Sequence, residues 1–589
     1  MVISMWCSNC GKKAYGEYCD ICGQETEPLA PSDVYWCPEC KVPVVRFADE
    51  SDLDICPLCG GNLSHMTTDI RPVFPEERLL FEILIGKPLA YKNESVWCSV
   101  NRYYVNGKSI PITKDFYKRV EADEVRRQLE LYKEQNTDTA FEHYAELFVR
   151  ANQRRLDILI DEASNFIRDE VEKFPNDNIV ISFSGGKDST VVADLTIKAL
   201  AKPDLVHIFS DTTLEFPITM EYAKRYRKDN PKAIFKIAKN KEENFYELCK
   251  EIGPPARMLR FCCSTFKTGP LTRVLNTLFE NKKILTFYGI RHSESLARSK
   301  YDRVADNAES VKIQNQTVAS PIIDWIDADV WLYLLGEKVD FNDAYRFGYD
   351  RVGCWCCPNN SARSQFLASV YMPEQYKEWR SFLIDFAKQI GKPDPEVYVD
   401  DGWWKARQGG NGVEASDDIL IKFKQDEEDK NIRVYRLKKE FNDEFIGMLC
   451  PLGVISDDYS KPDRSEIVLL DVKTREPIIS VKAVEDEEYP YAVQIKLLNC
   501  KKKLEREAYY RMFGYQVRKY NACHRCLKCE SLCKDGAISI KNGVYRINPN
   551  KCTHCQMCVT EKYLTGGCMM YKYLCIRKTR KISRNRNKK

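Results

Sequence analysis

The chain has no uninterrupted run of about 18 apolar residues, so hydropathy gives no membrane-spanning helix. Its first residues, Met1-Val2-Ile3-Ser4-Met5-Trp6-Cys7, lack the charged start and long apolar stretch of a secretory signal. A cytoplasmic protein is the expectation. Charge of one sign is also lacking: 90 Lys and Arg against 86 Asp and Glu leave +4, so the whole chain is no polycation. What it has in excess is cysteine, 26 in 589 residues, grouped mostly as Cys-x-x-Cys pairs. In a long chain without an export signal that grouping argues for metal sites in a reducing compartment rather than disulfides. Hydrophobic residues make up 44%, enough for real cores, and the length predicts about four domains.

The most informative stretch is Ser182-Phe-Ser-Gly-Gly-Lys-Asp-Ser-Thr190, after the β-branched run Asn178 to Ile181 and before a helical pattern from Val191 to Leu200. Strand, glycine loop and helix aim backbone N–H groups and the positive end of a helix dipole at one place, which favours an anion. Gly185 and Gly186 permit close approach of a phosphate, Lys187 adds charge, and Ser184 and Ser189 add hydroxyls. Further strands are expected at Leu205–Ser210, Ile234–Ile237 and Ile284–Tyr288, alternating with helices. That alternation predicts a doubly wound parallel α/β sheet with ligands beyond the strands' carboxyl ends, where Asp188, Asp211 and Arg291 fall.

Two cysteine modules precede this domain. Cys7, Cys10, Cys19 and Cys22 form one, and Cys37, Cys40, Cys56 and Cys59 the other. Each supplies four thiolates in two knuckles, the pattern of a closed, structural zinc ribbon. Residues 66–118 are mixed with strand-like pieces. Residues 119–174 are helical, ending in a stripe of Leu156, Leu159, Ile160, Ala163, Phe166, Ile167, Val171 and Phe174 at 3.6-residue spacing, the signature of core packing. Residues 430–500 alternate short strands, and residues 576–589 form a basic tail fit for salt-dependent nucleic-acid binding or simple solubility. Cys98, Cys249, Cys450, Cys500 and Cys575 stand alone in sequence and read as buried small hydrophobes.

Five ordered strings carry a resemblance: Ser184–Ser189; Asp211-Thr-Thr-Leu-Glu-Phe-Pro217; Arg260-Phe-Cys-Cys-Ser-Thr-Phe-Lys267; Gly289-Ile-Arg291 with Arg298; and Pro321-Ile-Ile-Asp-Trp325 with Asp329 and Trp331. Together they resemble the phosphoadenosine phosphosulfate (PAPS) reductase family of PP-loop, adenine-nucleotide α-hydrolase-like enzymes, here over residues 175–395. The resemblance implies that Ser184, Gly185, Gly186, Lys187, Asp188, Ser189 and Asp211 bind the nucleotide. Lys187, Lys267, Arg291 and Arg298 would be the catalytic cations. Paired guanidinium groups suit a sulfo-phosphate because they bind oxyanions bidentately, and surface ion pairing is the alternative for both arginines. Cys262, Cys263, Cys354 and Cys357 resemble the ligands of a [4Fe–4S] cluster in adenylyl-sulfate (APS) reductases, with Cys356 spare; zinc also accepts four thiolates.

Near the C-terminus, Cys523-x2-Cys526-x2-Cys529-x3-Cys533 and Cys552-x2-Cys555-x2-Cys558-x9-Cys568 resemble a two-cluster ferredoxin over residues 515–575. That resemblance assigns Cys523, Cys526, Cys529 and Cys568 to one [4Fe–4S] cluster, and Cys552, Cys555, Cys558 and Cys533 to the other. The expected architecture is therefore multidomain: zinc ribbons over 1–65, a central α/β PP-loop domain, and a C-terminal α+β two-cluster module. The expected function is reduction of an adenylyl sulfate to sulfite, with an electron donor feeding the ferredoxin module. Two features keep rivals open. No Glu-Cys-Gly nucleophile is present, and the complete Ser-Gly-Gly-Lys-Asp-Ser loop resembles that of enzymes cleaving ATP to pyrophosphate. An ATP pyrophosphatase adenylating tRNA or DNA for sulfur insertion, with ribbons and tail as docking parts, is one alternative. A nucleotide-binding redox sensor is the other.

Overall fold

The computed structural model describes residues 33–47, 55–100, 102–112, 116–117, 120–137, 140–174, 178–280, 282–295, 298–306, 315–407, 421–461, 463, 465–560 and 564–571, with short pieces at 5–7, 12–14, 18, 23 and 27–28. Cys10, Cys19 and Cys22 of the first expected ribbon, the lone Cys575 and the basic tail lie outside the described residues. Of Cys7 only the strand Met5–Cys7 is given. Among the described residues no helix is long and apolar enough to cross a membrane.

Two compact units divide the chain, and they cut across its linear order. One comprises residues 1–210, 214–237 and 282–378; the other comprises 211–213, 238–281 and 379–589.

The first unit is built round a six-stranded sheet in the order Ile234–Lys239, Val206–Asp211, Ile179–Phe183, Ile284–Phe287, Gln316–Ala319, Val304–Asp306. Pairings from Val206–Asp211 across to Gln316–Ala319 are parallel, and the edge strand Val304–Asp306 is antiparallel. The sheet's first strand in chain order, Ile179–Phe183, is thus flanked by its second and its fourth, and the strand order reverses between Ile179–Phe183 and Ile284–Phe287. That switch point opens a crevice beyond the strands' carboxyl ends. The glycine loop leaves one of these strands and Gly289–Arg291 leaves the other. The helical stripe of the connector enters the same core: Leu156, Leu159, Ala163 and Ile167 pack with Ile179, Ile181, Trp325 and Trp331.

The described residues within 66–118 include a helix, Pro75–Leu84, and a four-stranded antiparallel sheet. Their buried Glu77 binds Arg71 at 2.6 Å, accepts from Tyr103 at 2.8 Å and pairs with Arg363. Burial opposes ionisation of Glu77, but the two guanidiniums prevail and hold its carboxyl at about 2.

In the second unit six antiparallel strands run in the order Phe423–Gln425, Ile432–Leu437, Tyr491–Leu497, Pro477–Val484, Glu466–Leu470, Val454–Ile455. The long helix Lys503–Ala522 packs on this sheet through Phe513, whose ring lies 5.3 Å from that of Tyr435. The helix then delivers the chain to the cysteine-rich segment.

One glycine decides how closely the switch point closes. A Cβ on Gly289 would sit 2.6 Å from the Asp188 carbonyl carbon and 2.7 Å from the Ser189 nitrogen, both backbone. Gly289→Ala is therefore expected to destabilise the protein by about 1–3 kcal/mol. Gly447, within the helix Asp443–Leu449, has open space at its Cβ, so Gly447→Ala should stabilise by about 0.5–1 kcal/mol. Calorimetric unfolding of the two variants checks the opposite signs.

Candidate functional site

The loop at the switch point is self-satisfied. Gly185 takes the left-handed conformation at φ 72° that the tight turn requires. The Ser184 N–H donates to Ser189 Oγ at 3.1 Å, Ser189 Oγ donates to the Gly186 carbonyl at 2.8 Å, and the two serine hydroxyls lie 3.0 Å apart. Asn342 donates to the Gly185 carbonyl at 2.9 Å, and the Lys187 N–H donates to the Tyr345 hydroxyl at 3.0 Å. The helix Lys187–Leu200 thus starts earlier than its apolar pattern alone shows, with Lys187 and Asp188 in its first turn.

Behind the loop lies a buried knot of charge. Lys187 Nζ is 3.1 Å from Asp327 and 3.7 Å from Asp188, and it donates to the Asp350 carbonyl at 3.4 Å. Arg291 binds Asp188 at 2.5 Å and Asp327 at 2.9 Å, and is only 4% exposed. Surface ion pairing is therefore not its situation; it crosslinks two carboxylates in the interior. Burial works against each charge, yet the Asp188 carboxyl is held at about 2 by Arg291 and Lys187. Asp327 is lowered the same way, and Lys187 is raised by Asp188 and Asp327. A fifth group closes the knot from residues 66–118: the Asp69 carboxylate accepts from the Asp327 and Ala328 N–H groups, both at 3.0 Å. Burial, then the Asp327 charge, pushes Asp69 up to about 7.

Arg298 pairs with Glu294. Burial and then the Arg351 cation lower its pKa, while Asp188 acts in the opposite sense. The structure thus brings the Arg298 motif to the loop and adds Arg351, which the motifs did not name. Asp211 ends its strand, binds Lys239 at 2.8 Å and accepts from the Thr213 N–H at 2.9 Å. Asp329 is anchored to Arg155 at 2.6 Å, which ties the connector helix to the domain. Lys267 is exposed on the π-helical turn Cys263–Thr268. Cys262 and Cys263 belong to the second unit. Cys354 and Cys357 belong to the first, where the Cys357 N–H donates to the Cys354 carbonyl at 3.2 Å and Cys354 bridges Glu215.

The second ribbon's sulfurs converge. Cys37 and Cys59 sulfurs are 3.5 Å apart, Cys40 and Cys56 3.9 Å, and all four lie within 4.8 Å of one another. A tetrahedral ion with metal–sulfur bonds of about 2.3 Å spaces its sulfurs by about 3.8 Å, so this donor set fits zinc. Backbone N–H groups of Cys40 and Gly61 point at Cys37 and Cys59, at 3.3 and 3.4 Å. Asn152 fastens the ribbon by accepting from the Val45 N–H at 2.7 Å and donating to Pro43 at 3.1 Å.

In the C-terminal segment the two cysteine runs adopt one backbone pattern. Left-handed residues fall two and four places after the first cysteine of each run: Arg525 and Leu527, then His554 and Gln556. Cys526 is surrounded by Cys568, Cys529 and Cys523, while Cys533, Cys552, Cys555 and Cys558 line a common cavity. The first loop is bolted to the helix Gly269–Phe279. A Cβ on Gly269 would meet the Cys526 carbonyl at 2.9 Å, and Arg273 binds Glu530 at 2.7 Å and the Ile540 carbonyl at 2.6 Å. Cys450 corrects its reading as a plain buried hydrophobe. It is buried, but its sulfur groups with Cys552 and His554 within 4.8 Å, and His554 Nδ1 lies 2.8 Å from its carbonyl. The 102-residue separation hid that grouping.

The knot's energetics have a pH signature. Asp188 falls from 3.8 to about 2 on folding, so its contribution is complete above about pH 4 and lost as pH falls through about 2. Asp188→Asn should cost about 3–5 kcal/mol at neutral pH because Arg291 and Lys187 lose a buried partner. Denaturant unfolding of variant and wild type checks this; the difference should shrink on acidification toward pH 2.

A family model described as the phosphoadenosine phosphosulfate reductase domain matches residues 178–360. Two uncharacterized proteins of Methanocaldococcus jannaschii are similar to the chain. One is 34% identical over 270 residues, 46% of this chain and 53% of that protein; the other is 33% identical over 266 residues, 44% and 60%. The chain thus spans little more than half the length of these relatives. An adenosine 5'-phosphosulfate reductase of Halalkalibacterium halodurans is 26% identical over 187 residues, 31% of this chain and 74% of that enzyme. Among solved structures, the PAPS reductase of Candida auris in its phosphate complex is 21% identical, covering 35% of this chain and 96% of that one at a TM-score of 0.27. With its glycine loop at the switch point of a parallel sheet, the stretch 178–360 is the part of the chain that matches the PAPS reductase domain of the PP-loop, adenine-nucleotide α-hydrolase-like fold.

Proposed function

We propose that the chain is an iron–sulfur reductase that converts an adenylyl sulfate to sulfite and an adenosine phosphate. The observation that carries this reading is the seam inside the second unit. The cysteine loop 523–529 packs on the start of the helix Gly269–Phe279, which continues directly from the turn bearing Cys262 and Cys263. A site bearing the sulfonucleotide family's Cys-Cys pair is thus joined through packed protein to a cysteine module. The donor sets suit [4Fe–4S] groups, which when bound pass single electrons. Zinc in the second ribbon would be structural.

In this reading Ser184–Ser189 cradle the nucleotide phosphate, and Arg298 with Arg351 supplies cationic charge toward the sulfo group. Arg291 acts from behind by fixing Asp188 and Asp327, so that Lys187 is held in place at the head of its helix. Cleavage of the S–O bond to the phosphate needs two electrons and two protons, and it yields sulfite and the adenosine phosphate. The electrons come from a low-potential one-electron donor.

A second reading, ATP pyrophosphatase acting on tRNA or DNA, is supported by the complete glycine loop and the absence of a Glu-Cys-Gly nucleophile. One experiment separates them. Anaerobically purified protein with reduced methyl viologen is given APS, PAPS, or ATP with tRNA or DNA, and sulfite and pyrophosphate are measured. Sulfite without pyrophosphate is expected from a sulfonucleotide. Lys187→Ala should lower that rate at least a hundredfold at unchanged iron content. Pyrophosphate release that requires nucleic acid would overturn the reductase reading.

A further inference from the structure

The long helix Lys503–Ala522 carries a buried cation of unusual standing. Lys519 is 1% exposed. Several other buried cations in the protein sit against carboxylates: Lys187 and Arg291 on Asp327, Arg155 on Asp329, Arg71 and Arg363 on Glu77. Lys519 has no carboxylate partner among the described residues. Its ammonium donates to the Cys558 carbonyl at 2.6 Å and lies 5.8 Å from the Tyr545 ring. A buried ammonium without a counter-anion costs several kcal/mol, so a negative group belongs beside it.

The groups within electrostatic reach are thiols: Cys529, Cys558, Cys568 and Cys523. Three belong to one proposed ligand set and Cys558 to the other. Two neighbours point the same way. Gln516, one helical turn earlier on the same face, is fully buried with both amide atoms unpartnered. The Tyr545 hydroxyl is buried beside Cys529. A buried ammonium held by a single carbonyl, on a helix face that also buries an unpartnered amide, suits surroundings that a negative group completes.

We propose that Lys519 is the shared counter-cation of the two clusters and raises the reduction potential of both, more strongly that of the Cys523, Cys526, Cys529, Cys568 set. This rests on the cluster reading given above. With four thiolates a [4Fe–4S] group is doubly negative, and triply negative once it has taken one electron; no bond breaks and no proton moves. A fixed positive charge therefore favours the reduced form more than the oxidised one. Lys519 acts through the clusters as a positioning charge, without touching substrate.

The test is an EPR-monitored redox titration of the whole anaerobic protein, with iron and acid-labile sulfide determined on each sample. Lys519→Met should shift the midpoint of the set nearest Lys519 negative by at least tenfold in the one-electron equilibrium, which is 59 mV. Lys519→Arg, which keeps the charge, should restore the midpoint. Fully loaded clusters with unmoved potentials in Lys519→Met would sink the role of Lys519 alone. Wild-type protein without iron and sulfide in this segment would overturn the cluster reading and this proposal with it. Should Lys519→Met fail to assemble clusters, Lys519→Arg decides: retained clusters support the counter-cation, and loss in both overturns it.

Discussion

The first unit depends on four charges held together, two buried cations and two half-buried carboxylates. Lys187, Asp188, Arg291 and Asp327 sum to zero, and each cation touches both carboxylates. In a low-dielectric interior such a set is tolerable only when complete, because losing one member strands the charge of the others. The knot therefore fixes the register between two strand ends: Asp188 follows one strand of the switch point and Arg291 the other. Gly289 lets the two backbones approach closely enough for this, and Asp69 adds a fifth strut by capping the helix that carries Asp327. The glycine loop in front is thereby anchored to the charge behind it through Lys187 and Asp188.

The segment 66–118, mute as sequence, gains a physical role from this arrangement. Arg71 binds Asp350 at 3.1 Å as well as Glu77, and the Asp350 carbonyl receives Lys187. A chain of polar contacts thus runs from the buried Tyr103, Glu77 and Arg71 through the exposed Asp350 to the glycine loop's lysine. Networks of this kind rigidify when fully satisfied and are costly when partly broken. The segment thus meets the glycine loop's lysine through Asp350 and the helix bearing Asp327 through Asp69.

Much of this was legible from local pattern. A β-branched strand, a glycine loop and an amphipathic helix are properties of neighbouring residues, and so are the knuckle spacings of Cys37 to Cys59. The motifs found the Asp188 and Arg291 sides of the switch point, but they missed Asp327, Asp69 and Tyr345. Asp327 sits in a run with Asp324 and Asp329, and nothing local says which of the three faces the lysine. Tyr345 reaches Lys187 across 158 residues and Asp69 reaches Asp327 across 258. Such partners are chosen by topology, which periodicity does not encode. Cys450 failed for the same reason, since an apolar neighbourhood in sequence suits a core cysteine and a ligand-lined cavity equally well.

The place of Cys450 bears on the proposed chemistry. A thiol nucleophile that attacks a sulfonucleotide must be accessible and at least partly ionised. Cys450 is buried, its thiol is pushed up first by the neighbouring Cys552 and then by burial, and it stands in the second unit beside His554. It is unsuited to that attack. Cys249 and Cys98 are likewise interior, with burial raising both. None of these three thiols is suited to carry a covalent thiol–sulfonate, and the proposed reaction routes its reducing equivalents otherwise. They arrive as single electrons along the seam between the cysteine loop and the helix at Gly269, and a cation such as Lys519 would hold the reduced state ready on the near side of it. The missing nucleophile and the fused cysteine module are, on this account, one feature: the module stands where other designs use an external thiol.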